Sequence, residues 1–356
     1  MSPTTRRIVL DRFCDGLPEA ADFRIETAPM PVPREGQFLV RNILISVDPG
    51  TRARLSGKAS YVPPLKLGDT VGAFSVGEII ESRNPDFAVG EIVALAVGWT
   101  EHVIGDPRGF VRRIGDRRLP LAAWLGALGV SGMTGWFGLH RVARLQAGET
   151  VVVTSAAGAV GSAAAQLARI HGCRTIGIAG GPAKCNWLTE TARLDAAIDY
   201  KAVDDLGAAI AAAAPKGVDV LFDNVGNQMI DTVIPLMRQN GRIVVSGQID
   251  AYNQDEAAGA GIRNTRAVIT QRLAMQGRVV FDDLPEWGGA EAAMADHMLS
   301  GDLVGRWEVM NGLEATPDAF AGLFRGENTG RRLVRLGPDP EGFPQDQSLD
   351  QPGDRS

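Results

Sequence analysis

The sequence predicts an α/β protein built from a doubly wound parallel sheet and a second, β-rich domain. Three observations carry this expectation. Residues 1–120 are rich in β-branched residues, Pro and Gly and show little helical periodicity. From residue 150 onward, apolar strand segments alternate with Ala-rich helical segments, the pattern of repeated βα units on a parallel sheet. The chain of 356 residues is 45% hydrophobic and 22% charged, the composition of a folded globular protein, and a length of this order is expected to divide into about two domains.

Taken in order, the segments FLVRNILISV (38–47), VGAFSVGEII (71–80) and EIVALAVG (91–98) read as strands. Residues 119–139 carry no charge, over a length that would span a bilayer. Gly126, Gly129, Gly132, Gly135 and Gly138 weaken a single long helix there, so a buried helical hairpin is expected. TVVVTS (150–155) is a buried strand, and 158–172 the helix after it. A strand at 174–180 precedes a helix at 182–193 that starts with Pro182. Strands at 196–200, 218–226 and 241–249 continue the series, with helices at 204–214 and 228–239 between them. A short helix (316–326) and a strand (331–337) close the fold, and residues 341–356, rich in Pro and acidic side chains, read as a disordered tail.

The net charge of −6 leaves no basic footprint for nucleic acid. Three scattered cysteines (Cys14, Cys173, Cys185) build neither a disulfide framework nor a Cys-x-x-Cys metal motif. The N-terminal residues lack the apolar core of a signal peptide. A reducing cytoplasm is the expected compartment, with no membrane partner.

The most informative motif is TSAAGAVGSAAAQLA, which follows a strand and opens a helix, as a dinucleotide fingerprint requires. Gly158 and Gly161 take the second and third glycine positions, and Ala156 stands at the first. Gly158 admits a pyrophosphate close to the backbone, Gly161 seats the helix on the strand, and Ala159 and Val160 supply first-turn N–H groups. An NAD site places an acid at the end of the second strand, for the ribose hydroxyl. Here that strand ends in IAGGPAK, without Asp or Glu. Small residues leave room for a 2′-phosphate, with Lys184 as its cation and Tyr200 as a hydroxyl donor, so NADP(H) is the expected cofactor. The four histidines (His102, His140, His171, His297) stand apart from one another and from the cysteines, so no metal site is expected.

The chain resembles the zinc-independent medium-chain dehydrogenases/reductases, in the branch of prostaglandin, 2-alkenal (double-bond) and curcumin reductases. The resemblance runs over roughly residues 5–337. It rests on ISVDPGTRARL, SYVPPLKLGD, LGVSGMTGWFGL, AAGAVGS, GIAGGPAKC, IDYK, FDNVG, GRIVVSGQIDAYN, QRLAMQG and GENTGRRLVRL, in that order. It implies a GroES-like β-barrel domain at 1–124 and 309–340 and a Rossmann NADP-binding domain at 125–308. It also implies metal-free hydride transfer from NADPH to the β-carbon of an α,β-unsaturated ketone or aldehyde. By the same resemblance, Asn224, Ser246, Gly247, Gln248, Ile249, Tyr252, Val279 and Val280 lie along the cofactor, and Asn328 lies near the nicotinamide. Gly50, Tyr61 and Tyr252 line the substrate pocket, and Tyr252 is the catalytic candidate, as hydroxyl donor to the developing enolate oxygen. The resemblance further implies a homodimer formed by extension of the Rossmann sheet, with 278–282 as the edge strand.

Two departures stand out. Gly50 replaces the aromatic usual in the Asp-Pro turn, which widens the pocket, and Arg278 replaces a common aromatic, placing a charge by the cofactor or at a subunit contact. A quinone reductase on the same fold and a non-catalytic NADPH-binding protein fit the same nucleotide motifs.

Overall fold

The computed structural model describes residues 3–58, 63–250 and 261–345. It forms two compact units, one made of Met1–Leu125 and Trp307–Ser356, the other of Gly126–Arg306.

The chain opens with β1 (Thr4–Leu10) and β2 (Phe23–Pro29), an antiparallel pair. Next come β3 (Phe38–Ser46), β4 (Phe74–Ser82), β5 (Ile92–Ala96), β6 (His102–Gly105) and β7 (Val111–Arg113), followed by the short helix α1 (Leu121–Leu125). β3 is almost wholly buried because it pairs antiparallel with β4 on one side and with β6 and a returning C-terminal strand on the other.

The second unit begins at α2 (Val130–Phe137), which runs on as a π-helical turn to Ala143. Six strands follow: β8 (Thr150–Val153), β9 (Arg174–Ala179), β10 (Ala196–Asp199), β11 (Val218–Asp223), β12 (Met237–Val245) and β13 (Ala274–Gly277). Between them lie α3 (Ala159–Ile170), α4 (Pro182–Glu190), α5 (Leu206–Ala213), α6 (Asn227–Val233) and α7 (Thr265–Gln271), and α8 (Trp287–Leu299) follows β13. All adjacent strands run parallel, in the order β10-β9-β8-β11-β12-β13. This is the doubly wound Rossmann order, and it reverses between β8 and β11, the step at which such sheets bind ligands. Val152, Ile176, Leu221 and Ile243 form the apolar core of one face, packed under Ile210, Ile230 and Val233.

The chain then returns to the first unit through β14 (Trp307–Asn311), α9 (Thr316–Phe324) and β15 (Arg331–Arg335). These complete a seven-stranded sheet ordered β14-β15-β3-β4-β5-β7, with β6 beside β3. Phe320 of α9 joins Trp99 and Phe23 in a cluster of edge-to-face rings with centroids 5.2–6.0 Å apart. The C-terminal segment is thus built into the N-terminal core.

Several expectations are corrected. In place of the expected helical hairpin, the uncharged 119–139 run carries two short helices, α1 and α2, that fall in different units. No described helix is long and apolar enough to cross a membrane. The helix expected at 228–239 ends at Val233, because Pro235 forces a 3₁₀ turn and Met237 already pairs with Val218. The edge strand is Ala274–Gly277, and 278–282 is not a strand: Val280–Glu286 is a 3₁₀ turn containing Pro285. The tail starts packed, since Phe343 is buried with the Arg117 guanidinium over its ring. Residues 346–356, and with them the rest of the expected tail, lie outside the described residues.

Candidate nucleotide site

The loop after β8 is shaped by close approach. Ser155 adopts a left-handed φ of 48°, and the Gly158 N–H closes the turn onto the Ser155 carbonyl at 2.9 Å. Ala156 N–H donates to the Ile178 carbonyl on β9, also at 2.9 Å, which pins the turn to the neighbouring strand. α3 then starts at Ala159 with Gly158 as its extended N-cap. A Cβ on Gly161 would lie 2.2 Å from the Ser155 carbonyl oxygen, so glycine is needed there to seat the helix. A Cβ on Gly158 would lie 3.1 Å from Ser155 O and Oγ, a tight but smaller conflict. The first-turn N–H groups of Ala159, Val160 and Gly161 have no intrahelical acceptor, and at the positive end of the helix dipole they form a cradle for an anion. No acidic side chain stands in that turn.

The end of β9 supplies the second part. Gly180 and Gly181 connect β9 to α4, and Gly181 has a φ of 97°. Asp199, at the end of β10, accepts the Gly181 N–H at 2.9 Å and the Lys201 N–H at 3.0 Å; these bonds hold its carboxyl below the usual carboxylate range. Tyr200 is 48% exposed, and its ring crosses Gly180 so closely that a Cβ there would lie 2.8 Å from Cε1. The Lys201 side chain reaches the same spot, with Cε 3.0 Å from that position and Nζ 6.0 Å from the Tyr200 ring centroid. Lys184 sits half-buried in the first turn of α4. Phenol, ammonium and a side-chain-free glycine therefore meet where a ribose 2′-substituent is read in this fold, and they suit a phosphate.

The third part is the β8–β11 step. Asn224 is held by two bonds to Thr154: its N–H donates to Oγ1 and its Nδ2 to the main-chain carbonyl, both at 2.8 Å. Ser246 and Gly247 donate their N–H groups to the Asp223 carbonyl at 2.8 and 3.3 Å, which sets the start of the 246–249 run beside Asn224. Gln248 is exposed and Ile249 half-buried.

Comparison with known proteins shows the family. Residues 6–112 match the family model of the N-terminal domain of oxidoreductase, and residues 159–296 that of zinc-binding dehydrogenase. The 2-alkenal reductase (NADP(+)-dependent) of Nicotiana tabacum is 34% identical over 94% of this chain and 98% of its own length. The chain belongs to the medium-chain dehydrogenase/reductase family. The NADPH-dependent curcumin reductase of Escherichia coli (strain K12) is likewise 34% identical, over 94% of this chain and 97% of its own. Among solved structures, CurA from Vibrio vulnificus in complex with NADPH superimposes with a TM-score of 0.88 at 33% identity, covering 94% of this chain and 100% of the other. Although one matching model bears zinc in its name, no three His, Cys, Asp or Glu side chains gather to hold a metal among the described residues of this medium-chain dehydrogenase/reductase.

The remaining predicted residues fall in separate places. Val279, exposed, lies between Arg278 and the 3₁₀ turn that the buried Val280 begins. The Arg278 charge is answered inside the unit: its guanidinium grips the Asp283 carboxylate with both arms, Nε to Oδ2 at 2.5 Å, and Asp283 is buried. In the first unit, Gly50 is the second residue of a 3₁₀ turn (Pro49–Arg54), and a Cβ there would meet nothing within 4 Å. Asn328 Nδ2 donates to the Gly330 carbonyl at 2.9 Å, within its own turn. The Asp48–Arg331 ion pair at 2.5 Å ties the Gly50 turn to the strand after Asn328. Tyr61 and Tyr252 lie outside the described residues.

Sequence reasoning missed Lys201, Thr154 and Asp223. Lys201 had a signal, a Lys following the Tyr that ends a strand. Thr154 and Asp223 had none, because each gains its meaning only from the other.

Proposed function

We propose that this chain reduces the carbon–carbon double bond of α,β-unsaturated ketones or aldehydes with NADPH. The supporting observation is the combination at one sheet: an anion cradle at the head of α3, and a β9 end without a ribose-directed acid but with Tyr200 and Lys201 crossing Gly180. The related 2-alkenal and curcumin reductases favour double-bond reduction over the other chemistries of the family.

In this reading the N–H groups of Ala159, Val160 and Gly161 hold the pyrophosphate, and Gly158 leaves it room. Lys184, Tyr200 and Lys201 hold the 2′-phosphate. Asn224, Ser246, Gly247, Gln248, Ile249, Val279, Val280 and Asn328 position the remainder of the cofactor. NADPH, when bound, supplies the hydride for the substrate β-carbon. The chain then has to stabilise negative charge on the carbonyl oxygen, a task for a fixed hydroxyl donor, and Tyr252 is assigned to it. Gly50 and Tyr61 are assigned to the substrate pocket, with the open space at Gly50 admitting bulkier enones. A homodimer through the exposed β13 edge belongs to the same reading. Its support is a row of four exposed strand residues, Met275 among them, and an exposed Ile269 on α7. A cytoplasmic setting is supported by three cysteines present as free thiols.

The test is NADPH oxidation against a 2-alkenal, an aryl enone and a 1,4-quinone, with NADH in parallel. Turnover of the first two with a strong preference for NADPH is expected. Turnover of the quinone alone, or none on any acceptor, would overturn the proposal.

A further inference from the structure

We propose that Thr154 and Asp223 are a positioning pair for the cofactor, locking the Asn224–Gly226 turn across the step where the sheet order reverses. The inference rests on the NADPH reading above and assigns two residues that make no cofactor contact of their own.

The geometry is closed. Asp223 ends β11 and Thr154 follows β8, and both are fully buried. The Thr154 hydroxyl donates to Asp223 Oδ1 at 2.7 Å, and Asp223 Oδ2 accepts the Gly226 N–H at 2.8 Å. The same Thr154 oxygen accepts the Asn224 N–H at 2.8 Å. The turn is thus bonded at its first and last residues to one carboxylate and one hydroxyl. A third restraint lies under Gly226, whose φ is 138° and where a Cβ would lie 1.8 Å from Asp250 Oδ1.

The energetics argue that this arrangement is not there for stability. The charged group facing Asp223 from the packed elements is another carboxylate, Asp250. The end of β8 presents the neutral Thr154 hydroxyl and the turn presents the Val225 and Gly226 N–H groups, while the Ser246 and Gly247 N–H groups, just past β12, bond the Asp223 main-chain carbonyl instead. Burial, only partly offset by these hydrogen bonds, pushes the Asp223 carboxyl up to about 6, so the ionised form burdens the folded state at neutral pH. What the ionised form supplies is two acceptors at fixed angles. A proton on either oxygen would turn an acceptor toward a group that is already donating.

The experiment measures NADPH affinity directly by fluorescence titration of the full chain, beside thermal unfolding and steady-state kinetics. Thr154→Val removes the hydroxyl, Thr154→Ser retains it, and Asp223→Asn keeps the shape with one acceptor fewer. The expected result is an NADPH Kd and KM raised at least about tenfold in Thr154→Val and Asp223→Asn. The enone KM stays within about twofold, and Thr154→Ser returns to within about threefold of wild type. NADPH affinity equal to wild type in a folded Thr154→Val or Asp223→Asn protein overturns the inference while leaving the cofactor reading intact. Equal impairment in Thr154→Ser and Thr154→Val, tracking only a lower Tm, also overturns it, in favour of a packing role. Wild-type protein that fails to bind NADPH removes the cofactor reading, and this inference with it.

Discussion

The two glycines of the β8–α3 turn are separable by experiment. At Gly161 an added methyl would stand 2.2 Å from the Ser155 carbonyl oxygen and 2.9 Å from Ala156 Cα, backbone atoms held by the bonds to Gly158 and Ile178. Neither neighbour is a flexible side-chain end, so α3 has to lift. Overpacking of this kind costs about 1–3 kcal/mol, and a backbone contact this short belongs at the upper end. With a shift of roughly 2–4 °C per kcal/mol for a domain of this size, Gly161→Ala is expected to lower the nucleotide-free Tm by about 6–12 °C. At Gly158 the closest atoms are 3.1 Å away, a conflict relieved by a few tenths of an ångström. The main loss there is at the N-cap, where Ala is worse than Gly by about 1 kcal/mol, or roughly 2–4 °C. Gly158→Ala should instead weaken NADPH binding at least about tenfold, because the methyl occupies the approach to the pyrophosphate. Thermal unfolding without nucleotide and NADPH titration separate the two. Equal Tm losses, or a Gly161→Ala protein as stable as wild type, would refute the claim that one glycine serves the fold and the other the ligand.

Four further outcomes follow from the same structure. Arg331→Ala strands the Asp48 carboxylate, which is only 21% exposed and loses its cation at 2.5 Å; urea unfolding should register a loss of about 3 kcal/mol, and a loss below about 1 kcal/mol would show the pair to be solvent-screened. Lys184→Ala and Lys201→Ala should each raise the KM for NADPH about tenfold, the worth of a charge-assisted hydrogen bond, with the KM for NADH unchanged; equal effects on both cofactors would detach these lysines from the 2′-phosphate. Asp223, with a folded pKa of about 6 against an ordinary value near 3.9, binds its proton more readily when folded. Its contribution to stability is therefore fully present below about pH 4 and is lost as pH rises through 6. Relative to Asp223→Asn, wild type should lose about 2–3 kcal/mol between those limits, and a pH-independent difference between the two would refute the raised pKa. Finally, on the proposed β13-edge homodimer, Ile269→Glu with Met275→Lys should shift the mass by light scattering from dimer to monomer with little change in Tm, whereas an unchanged mass would overturn that interface.

What could be read from the sequence was what a short window contains. Strand segments such as 38–47 and 174–180 lie close to the observed β3 and β9, because their apolar runs and flanking turn residues are local signals. The α3 cradle was legible because a Gly-rich turn between strand and helix has one geometry that suits it. The absence of an acid after β9 was equally plain. Where the sequence misled, a local rule met a tertiary constraint. Residues 278–282 carry a strand-like apolar run, but the Arg278–Asp283 pair and Pro285 fold the chain into a 3₁₀ turn. Residues 234–239 looked helical until Met237 found its parallel partner Val218.

The sequence by itself determined the alternation of strands and helices, the Gly-rich strand–helix turn at Gly158–Gly161 and the absence of an acid at the end of β9. The tertiary structure alone decided which side chains, distant in sequence, meet within each unit. Thr154 meets Asp223 across 69 residues of sequence, and Asp48 meets Arg331 across 283. Such meetings are set by strand order and register, which depend on the packing of the whole sheet, and no window of sequence contains them.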